Sequence, residues 1–254
     1  MVAMLDRDGV GIHYEVAGPA GATPVLLTHG FSSSRQMWEP NLLALAGARR
    51  VITWDVRGHG LSGSPDDPAL YSEALSVEDM TAVLDAAGVD RAVVGGLSLG
   101  GYLSLAFHLA HPERVAALML FDTGPGYRRD EAREEWNRRV ERTASAFETR
   151  GLDALTDSPE VARTTNRNTA GLARAARGIM AQRDSRVIDS LATIAVPTLV
   201  VVGANDIPFL AAADYMTGKI HGAVRVVLEG AGHASNVDQP AAFNHAVLEF
   251  LEGL

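Results

Sequence analysis

A serine and a histidine in this chain stand where a hydroxyl group could be activated as a nucleophile. Ser98 lies in the stretch VVGGLSLGGY, inside a cluster of glycines that follows an apolar run. His233 follows another apolar run, in EGAGHAS. Because histidine titrates near neutral pH, it can accept the proton of a serine hydroxyl, which is unreactive without a base. Ser98 could therefore be a nucleophile with His233 as its general base, but a flexible glycine turn that happens to hold a serine would show the same local pattern.

Both residues belong to a set of polar side chains that follow short apolar runs. The runs PVLLTHG, RRVITWDV, RAVVGGLS, VAALMLFD, PTLVVVGAND and VRVVLEGAGH are continuous rather than alternating. Continuous runs are typical of strands buried on both faces of a parallel sheet. Ligands of such sheets bind at the carboxyl ends of the strands. The polar residues at these ends are His29, Asp55, Ser98, Asp122, Asp206 and His233. We therefore expect these side chains to meet at one edge of a sheet.

Helical patterns separate the apolar runs. The sequence predicts helices over 76–87, with Ser76 and Asp79 as a capping pair, over 99–110 and over 239–251. The alternation of strand and helix indicates an α/β fold with a mostly parallel, doubly wound sheet. Near the N-terminus GVGIHYEVAG alternates instead, which predicts an antiparallel edge strand.

One long segment breaks the alternation of strands and helices. Residues 124–195 contain no strand-like run, and their sequence is charged and rich in alanine. We predict that they form a helical insertion in a single catalytic domain, whose core consists of residues 1–123 and 196–254.

The predicted insertion holds 13 of the 21 arginines of the chain against 11 acidic residues, a balance of +2 in a chain of net charge −9. These arginines could steer an anionic substrate, or they could form ion pairs on a solvated helix face. Glu134 with Arg138 and Glu135 with Arg139 have the i,i+4 spacing of helical ion pairs. The near balance of charge favours ion pairing over steering.

Composition argues against several classes of function. The chain has no cysteine, and so no thiolate nucleophile and no disulfide. Its net charge of −9 argues against a nucleic-acid partner. No apolar run reaches the length of roughly 20 residues that crosses a membrane, and the N-terminal segment lacks the apolar core of a signal peptide. We expect a cytoplasmic enzyme that acts on a small molecule. The composition does not indicate whether the protein is a monomer or an oligomer.

The sequence also predicts no metal and no cofactor. The chain has no cluster with the spacing of metal ligands, and the glycines at 95, 96, 100 and 101 lack the G-x-G-x-x-G spacing of a phosphate-binding loop. The catalytic chemistry is therefore expected from side chains and backbone alone.

Four motifs together resemble the α/β-hydrolase family. They are HGF at 29–31, GLSLGG at 96–101, GANDIP at 203–208 and GAGHASNVDQP at 230–240. They occur in the family's order of nucleophile, acid and histidine, and the resemblance covers nearly the whole chain. It implies the α/β-hydrolase fold, with residues 124–195 as a helical lid after the strand that ends at Asp122. The stretch LSVEDMTAVLDAAGVDRAVVGGLSLGG is similar to enol-lactone hydrolases and small-molecule carboxylesterases.

The resemblance also implies the other members of the site. Asp206 has the usual position of the acid, after the penultimate strand, and Asp122 has the position of an alternative acid that some members of the fold use. The backbone N–H groups of Phe31 and Leu99 are implied as the oxyanion hole, which binds the negative oxygen of a tetrahedral intermediate.

Other polar residues of these motifs are expected to have structural roles. By resemblance, His29 and His59 belong to turns that shape the loop near the oxyanion hole. Asp55 and Arg57 are predicted to form a local charge pair that holds the loop after their strand.

By resemblance the chain is a serine hydrolase that cleaves a small carboxylic ester or a lactone through an acyl-enzyme on Ser98. Two alternatives stay open. The same triad serves carbon–carbon bond hydrolases and elimination-type enzymes, and a non-catalytic protein for ligand binding or signalling could keep this fold. A complete triad favours an enzyme, and a serine nucleophile in place of aspartate argues against haloalkane dehalogenases and epoxide hydrolases.

Overall fold

Eight strands form a single sheet in the computed structural model, which describes residues 1–21 and 23–254. In chain order the strands are β1 Val2–Arg7, β2 Val10–Ala17, β3 Val25–Thr28, β4 Val51–Trp54, β5 Ala92–Leu97, β6 Val115–Phe121, β7 Thr198–Gly203 and β8 Val224–Leu228. Across the sheet the order is β1-β2-β4-β3-β5-β6-β7-β8. The pairs β1–β2 and β2–β4 are antiparallel and the other five are parallel. The predicted α/β fold with a mostly parallel, doubly wound sheet is confirmed.

Helices connect the strands and cover both faces of the sheet. The α-helices among the described residues are α1 Glu39–Ala48, α2 Glu73–Ala86, α3 Leu99–Ala110, α4 Asp130–Arg150, α5 Pro159–Ala162, α6 Thr169–Ala175, α7 Arg186–Ser190, α8 Ile207–Lys219, α9 Ser235–Asp238 and α10 Pro240–Glu252. A π-helix over Ala176–Met180 continues α6. Short 3₁₀ helices cover Arg35–Trp38, Pro68–Leu70, Pro112–Arg114, Gly151–Ala154 and Leu191–Thr193.

The central strands read as continuous apolar runs because both of their faces are covered. In β3, Val25 and Leu27 pack in the core that contains Phe243 of α10, whereas Leu26 packs in the core that contains Phe107 of α3. Successive side chains of a strand point to opposite faces, so a strand between two helical layers needs apolar residues at every position. This double burial fixes where each strand ends, and with it the positions of the polar residues that follow.

Two local predictions are wrong. The alternating strand β2 is not the edge of the sheet, because β1 pairs with it along most of its length and lies outside it. Helix α2 begins three residues before the predicted start: Ser72 is its N-cap, and its hydroxyl accepts the N–H of Leu75 at 3.1 Å. Serine is a suitable N-cap at both 72 and 76, so residue type could not distinguish the two positions. In the structure Ser72 has the extended backbone of an N-cap.

The segment 124–195, all of which is described, contains helices α4 to α7 and no strand. Its helices share a small apolar core of their own, formed by Val140, Ala144, Phe147, Leu172, Ala173 and Ala176. The division of the chain into a core of 1–123 and 196–254 with a lid of 124–195 stays a prediction.

Candidate active site

Ser98 lies at a sharp turn between β5 and α3 with a backbone conformation that only glycine adopts readily. Its φ is 55° and its ψ is −113°. A non-glycine residue in such a region carries strain of about 1–3 kcal/mol, which the surrounding structure has to offset. The N–H of Ser98 donates to the carbonyl of Phe121 at 2.9 Å, and its carbonyl accepts the hydroxyl of Thr123 at 2.6 Å. These two bonds hold the turn against the end of β6.

The glycines around Ser98 are required by close contact between backbones. A Cβ atom on Gly100 would lie 2.2 Å from the carbonyl oxygen of Thr28, and one on Gly96 would lie 2.5 Å from the carbonyl carbon of Gly100. Neither distance is compatible with a side chain. The glycine cluster therefore lets α3 start directly against β3 and β5, with its N-terminus at the turn that carries Ser98.

His233 and Asp206 are joined by a hydrogen bond of 2.8 Å between Nδ1 and Oδ2. Asp206 follows β7 and is 5% exposed, and His233 lies in the loop after β8. The bond requires a proton on Nδ1, so the neutral ring presents Nε2 as an acceptor. This is the tautomer that a general base for a hydroxyl needs.

Burial lowers the pKa of His233, but the surrounding carboxylates outweigh this effect. The hydrogen bond to Asp206, the charge of Asp206 and the more distant charges of Asp122 and Glu160 all favour the protonated ring. The pKa of His233 therefore lies above its ordinary value of 6.5. An imidazolium formed during a reaction would be stabilised by the same charges.

Asp122, the alternative acid, contacts other groups. Its Oδ1 accepts the N–H of Gly203 at 2.8 Å, and its Oδ2 accepts the hydroxyl of Ser235. Burial raises the pKa of Asp122 to about 7. Because Gly203 ends the strand before Asp206 and Ser235 lies two positions after His233, Asp122 ties together the two loops that carry the hydrogen-bonded pair. The geometry favours Asp206 over Asp122 as the partner of the histidine.

The backbone N–H groups of Phe31 and Leu99 belong to the two segments that meet at Ser98. A Cβ atom on Gly30 would be 3.7 Å from the Cβ of Ser98, which places the loop of Phe31 against the serine turn. Leu99 is the first residue of α3. Within the described residues neither N–H donates to a protein acceptor. Both donors are thus available for an oxygen bound beside the serine hydroxyl, where the helix N-terminus also favours negative charge.

Ser98 lies on the wall of a cavity of about 410 Å³, a volume suited to a small molecule. The phenyl ring of Phe209 lines this cavity and packs against the ring of His233, with ring centres 4.8 Å apart. In the described part of the chain no hydrogen bond joins Ser98 to His233. Such bonds are often long in ligand-free active sites and tighten when a substrate binds.

The cavity wall is mostly apolar and is shared between the core and the segment 124–195. The lining residues are Ser98, Leu99, Tyr102, Thr123, Gly124, Pro125, Gly126, Tyr127, Trp136, Arg139, Met180, Gln182, Ile188, Pro208, Phe209, Ala211, Ala212 and Tyr215.

The prediction of a charge pair between Asp55 and Arg57 is wrong. The guanidinium of Arg57 binds Asp79 of α2, with Nη2 2.9 Å from Oδ1. Asp55 instead accepts the backbone N–H groups of Arg35 at 2.7 Å and Leu61 at 3.0 Å. Asp55 and Arg57 are two residues apart, so on an extended chain their side chains would point in similar directions. Their partners lie on other elements of the fold, and local spacing does not reveal these.

His29 and His59 are both buried, and the ring of each makes a hydrogen bond to the backbone. Nε2 of His29 accepts the N–H of Val56 at 3.0 Å, which ties the end of β3 to the end of β4. Burial lowers the pKa of His29, and burial together with the neighbouring His29 lowers the pKa of His59 to about 3. Both rings are therefore neutral at physiological pH.

Glu160 is a residue of the site that sequence reasoning missed. It lies on α5 and is 6% exposed; its Oε1 accepts the hydroxyl of Ser158 at 2.8 Å, whereas its Oε2 has no partner among the described residues. The hydroxyl of Ser33, beside the loop of Phe31, donates to the carbonyl of Glu160 at 2.8 Å. The sequence around Glu160 carries no motif, so only the packing of α5 against the core places its charge near His233.

No group of three or more potential metal ligands occurs among the described residues. Separately, none of the helices in the described ranges is long and apolar enough to cross a membrane.

Comparisons with known proteins all match this chain to one family and to enzymes of similar length. Residues 25–246 match the model of the Alpha/beta hydrolase family. A Bacillus subtilis protein provisionally named 2-succinyl-6-hydroxy-2,4-cyclohexadiene-1-carboxylate synthase is 29% identical, over 96% of both chains. The 3-oxoadipate enol-lactonase 1 of Acinetobacter baylyi is 26% identical, over 100% of this chain and 97% of its own. A thermophilic esterase from Thermogutta terrifontis, solved with malate bound, is 28% identical with a TM-score of 0.85, over 100% of this chain and 98% of its own.

Proposed function

The chain belongs to the alpha/beta hydrolase family and is an enzyme, and we propose that it is a serine hydrolase that cleaves a small carboxylic ester or a lactone through an acyl-enzyme on Ser98. Three features support the proposal: the strained serine turn at the cavity wall, the hydrogen-bonded Asp206–His233 pair, and two unpaired N–H groups beside the serine. Relatives named as an enol-lactonase and an esterase support the choice of bond.

In the first step His233 activates the nucleophile. Nε2 of His233 takes the proton of the Ser98 hydroxyl as Oγ forms a bond to the carbonyl carbon of the substrate. The π electrons of the carbonyl move to its oxygen, which becomes negative. Asp206 keeps Nδ1 protonated and stabilises the imidazolium that results.

The negative oxygen of the tetrahedral intermediate accepts hydrogen bonds from the N–H groups of Phe31 and Leu99. Each such donor is worth about 2.7–4 kcal/mol of transition-state stabilisation in hydrolases of this kind. The N-terminus of α3 adds a favourable field at the same point.

The intermediate collapses when the bond between the carbonyl carbon and the leaving oxygen breaks. The leaving oxygen takes the proton from Nε2 of His233, and the acyl group stays on Ser98 as an ester. A water molecule then gives a proton to Nε2 as its oxygen bonds to the acyl carbon. In the second tetrahedral intermediate the bond between that carbon and Oγ of Ser98 breaks, Oγ takes the proton back from Nε2, and the acid is released. For a lactone the leaving oxygen stays attached to the acyl group, so a single hydroxy acid is the product.

We further propose that residues 124–195 act as a lid over the site. Trp136 and Arg139 of α4, with Met180 and Gln182, form one wall of the cavity, and Ser98 belongs to the wall that the core contributes. A wall contributed by an insertion excludes water and shapes the pocket without altering the sheet that positions the triad.

The observation that carries the proposal is the strained Ser98 at the cavity wall. The wild-type protein should hydrolyse a short-chain 4-nitrophenyl ester, and Ser98→Ala should retain less than about one part in 10³ of kcat. Ser104→Ala is the matched control, because Ser104 is a buried serine of α3, the helix that follows Ser98, and its hydroxyl donates to the carbonyl of Gly100 at 2.8 Å, away from the cavity. Intact-protein mass spectrometry during rapid turnover should show the acyl mass on wild type and not on Ser98→Ala. Retention of activity by Ser98→Ala would overturn the assignment.

The same residues could also serve a carbon–carbon bond hydrolase or an elimination-type enzyme, and the relative named as a synthase favours this second candidate. An ester hydrolase and an elimination-type enzyme differ in the need for an acyl-enzyme. An elimination proceeds by proton abstraction, so it would leave no acyl group on Ser98, and an elimination-type enzyme would show no burst of nitrophenol at the start of the ester assay.

A further inference from the structure

One charged side chain lines the candidate active-site cavity, within the described residues. It is Arg139 of α4, one turn after Trp136, and no carboxylate lines the same wall. Arg139 is exposed as well as lining the cavity, so the cavity is open to solvent on this side.

The arginines that surround Arg139 are neutralised, whereas Arg139 is not. The predicted i,i+4 pair of Glu135 with Arg139 is wrong: Glu135 binds Arg138, with Nη2 2.8 Å from Oε2, and Arg142 at 3.8 Å. Most other arginines of the segment, among them Arg177, also bind carboxylates. The guanidinium of Arg139 forms no ion pair and no hydrogen bond with the described residues; the hydroxyl of Thr143 donates to the carbonyl of Arg139 at 3.1 Å. Its donors are available to a ligand.

A second donor lines the same cavity. Gln182 is 8% exposed, and its Oε1 accepts the N–H of Tyr127 at 3.0 Å. This bond fixes the orientation of the amide and leaves its NH₂ group, which has no partner among the described residues, as a donor at the cavity wall. Arg139 and Gln182 thus offer N–H donors from one side of the cavity, and the remaining wall is largely apolar.

We propose that Arg139, assisted by the amide of Gln182, binds a carboxylate of the substrate, so that the enzyme acts on esters or lactones that carry a free carboxylate. The proposal rests on the proposed function for the reacting bond. Charge and geometry both support it: the planar guanidinium binds a carboxylate with two parallel hydrogen bonds, and an apolar wall accommodates the carbon chain between the carboxylate and the ester. The net charge of −9 would otherwise repel such a substrate, which makes an unpaired cation at the cavity a determinant of specificity.

The first test measures binding without turnover. Trp38 and Trp54 are fully buried, whereas Trp136 lines the cavity, so tryptophan fluorescence reports ligands there. Benzoate and benzamide have the same shape and differ in charge. We expect wild type to bind benzoate about 5- to 10-fold more tightly than benzamide at low salt. Arg139→Met should remove this preference and leave benzamide binding unchanged. Arg138→Met is the matched control, because Arg138 is the adjacent, ion-paired arginine of the same helix and does not line the cavity.

The second test compares two esters with the same six-carbon acyl chain, mono(4-nitrophenyl) adipate and 4-nitrophenyl hexanoate. The kcat/KM for the adipate ester divided by that for the hexanoate ester should fall about 5- to 10-fold in Arg139→Met. The same ratio should stay at the wild-type value in Arg138→Met. If both esters are hydrolysed and the ratio does not respond to Arg139→Met, the carboxylate site is refuted and the proposed function stands. If wild type hydrolyses neither ester, the proposed function fails, and the fluorescence titration still decides whether Arg139 binds a carboxylate.

Discussion

Asp206 and His233 share a hydrogen bond of 2.8 Å, whereas Asp122, the other aspartate near the histidine, directs its two oxygens at Gly203 and Ser235. The two aspartates therefore have different consequences when they are changed. One sets the tautomer of the ring, and the other holds the loop that carries it.

Asp206→Asn should lower kcat by about 10³- to 10⁴-fold, because an amide favours the wrong imidazole tautomer. Asp122→Asn should change kcat by less than about 10-fold. It should instead lower Tm. The amide NH₂ would face a donor, either the N–H of Gly203 or the hydroxyl of Ser235, and a buried donor left unpaired lowers the free energy of unfolding by about 1–3 kcal/mol. Ester kinetics and calorimetry on both variants provide the check. The opposite ranking of the two rates would move the acid to Asp122.

The pH profile of kcat/KM should show an acid limb with an inflection above pH 6.5, because only the neutral ring of His233 accepts a proton and its pKa is raised above that value. Activity is therefore lost as pH falls through the pKa of His233. Glu160→Gln removes a charge that favours the protonated ring, so this inflection should move to lower pH while the alkaline plateau is kept. The control is Glu148→Gln, an exposed carboxylate paired with Arg177, which should leave the inflection in place. An unmoved inflection in Glu160→Gln would show that the charge of Glu160 does not reach the base.

The strain at Ser98 should be measurable as stability. At φ 55° and ψ −113° an alanine is as strained as the serine, whereas a glycine is not. We expect the free energy of unfolding of Ser98→Gly to be about 1 kcal/mol larger than that of Ser98→Ala. Glycine relieves strain of about 1–3 kcal/mol in the folded protein, and this exceeds the destabilisation that results from the greater flexibility of glycine in the unfolded chain. Urea denaturation of the two inactive variants gives the difference directly. Equal stabilities would mean that the turn is not strained.

Two glycines of the chain should respond to alanine with opposite signs. Gly100→Ala places a Cβ atom 2.2 Å from a backbone oxygen and should lower the free energy of unfolding by at least about 2 kcal/mol. At Gly47 of α1 an added methyl group would have no other atom within 4 Å, so Gly47→Ala should raise the free energy by about 0.5–1 kcal/mol through helix propensity. Thermal unfolding of both variants tests the packing argument for the serine turn, and a stable Gly100→Ala would contradict it.

The sequence by itself determined the fold and the candidate positions for chemistry. Continuous apolar runs report burial on both faces, and glycines at 96 and 100 report backbone contact; both are local requirements that a single stretch of chain has to satisfy. The placement of Ser98 and His233 after such runs predicted that they face one edge of the sheet, because the carboxyl ends of parallel strands meet there. The catalytic roles of Ser98, Asp206 and His233 stay predictions until they are tested.

Local spacing predicted the ion pair of Arg138 with Glu134, at 3.9 Å, but tertiary structure decided which other charged groups meet. Arg57 binds Asp79 rather than Asp55, and Glu135 binds Arg138 and Arg142 rather than Arg139. Several partners satisfy the same spacing rule, and the choice among them depends on the packing of other elements and on the rotamers that this packing allows. For the same reason the sequence did not identify Glu160 or Arg139. Glu160 matters because its charge acts on the ring of His233, and Arg139 matters because it lines the cavity without an ion-pair partner; both depend on how the chain folds.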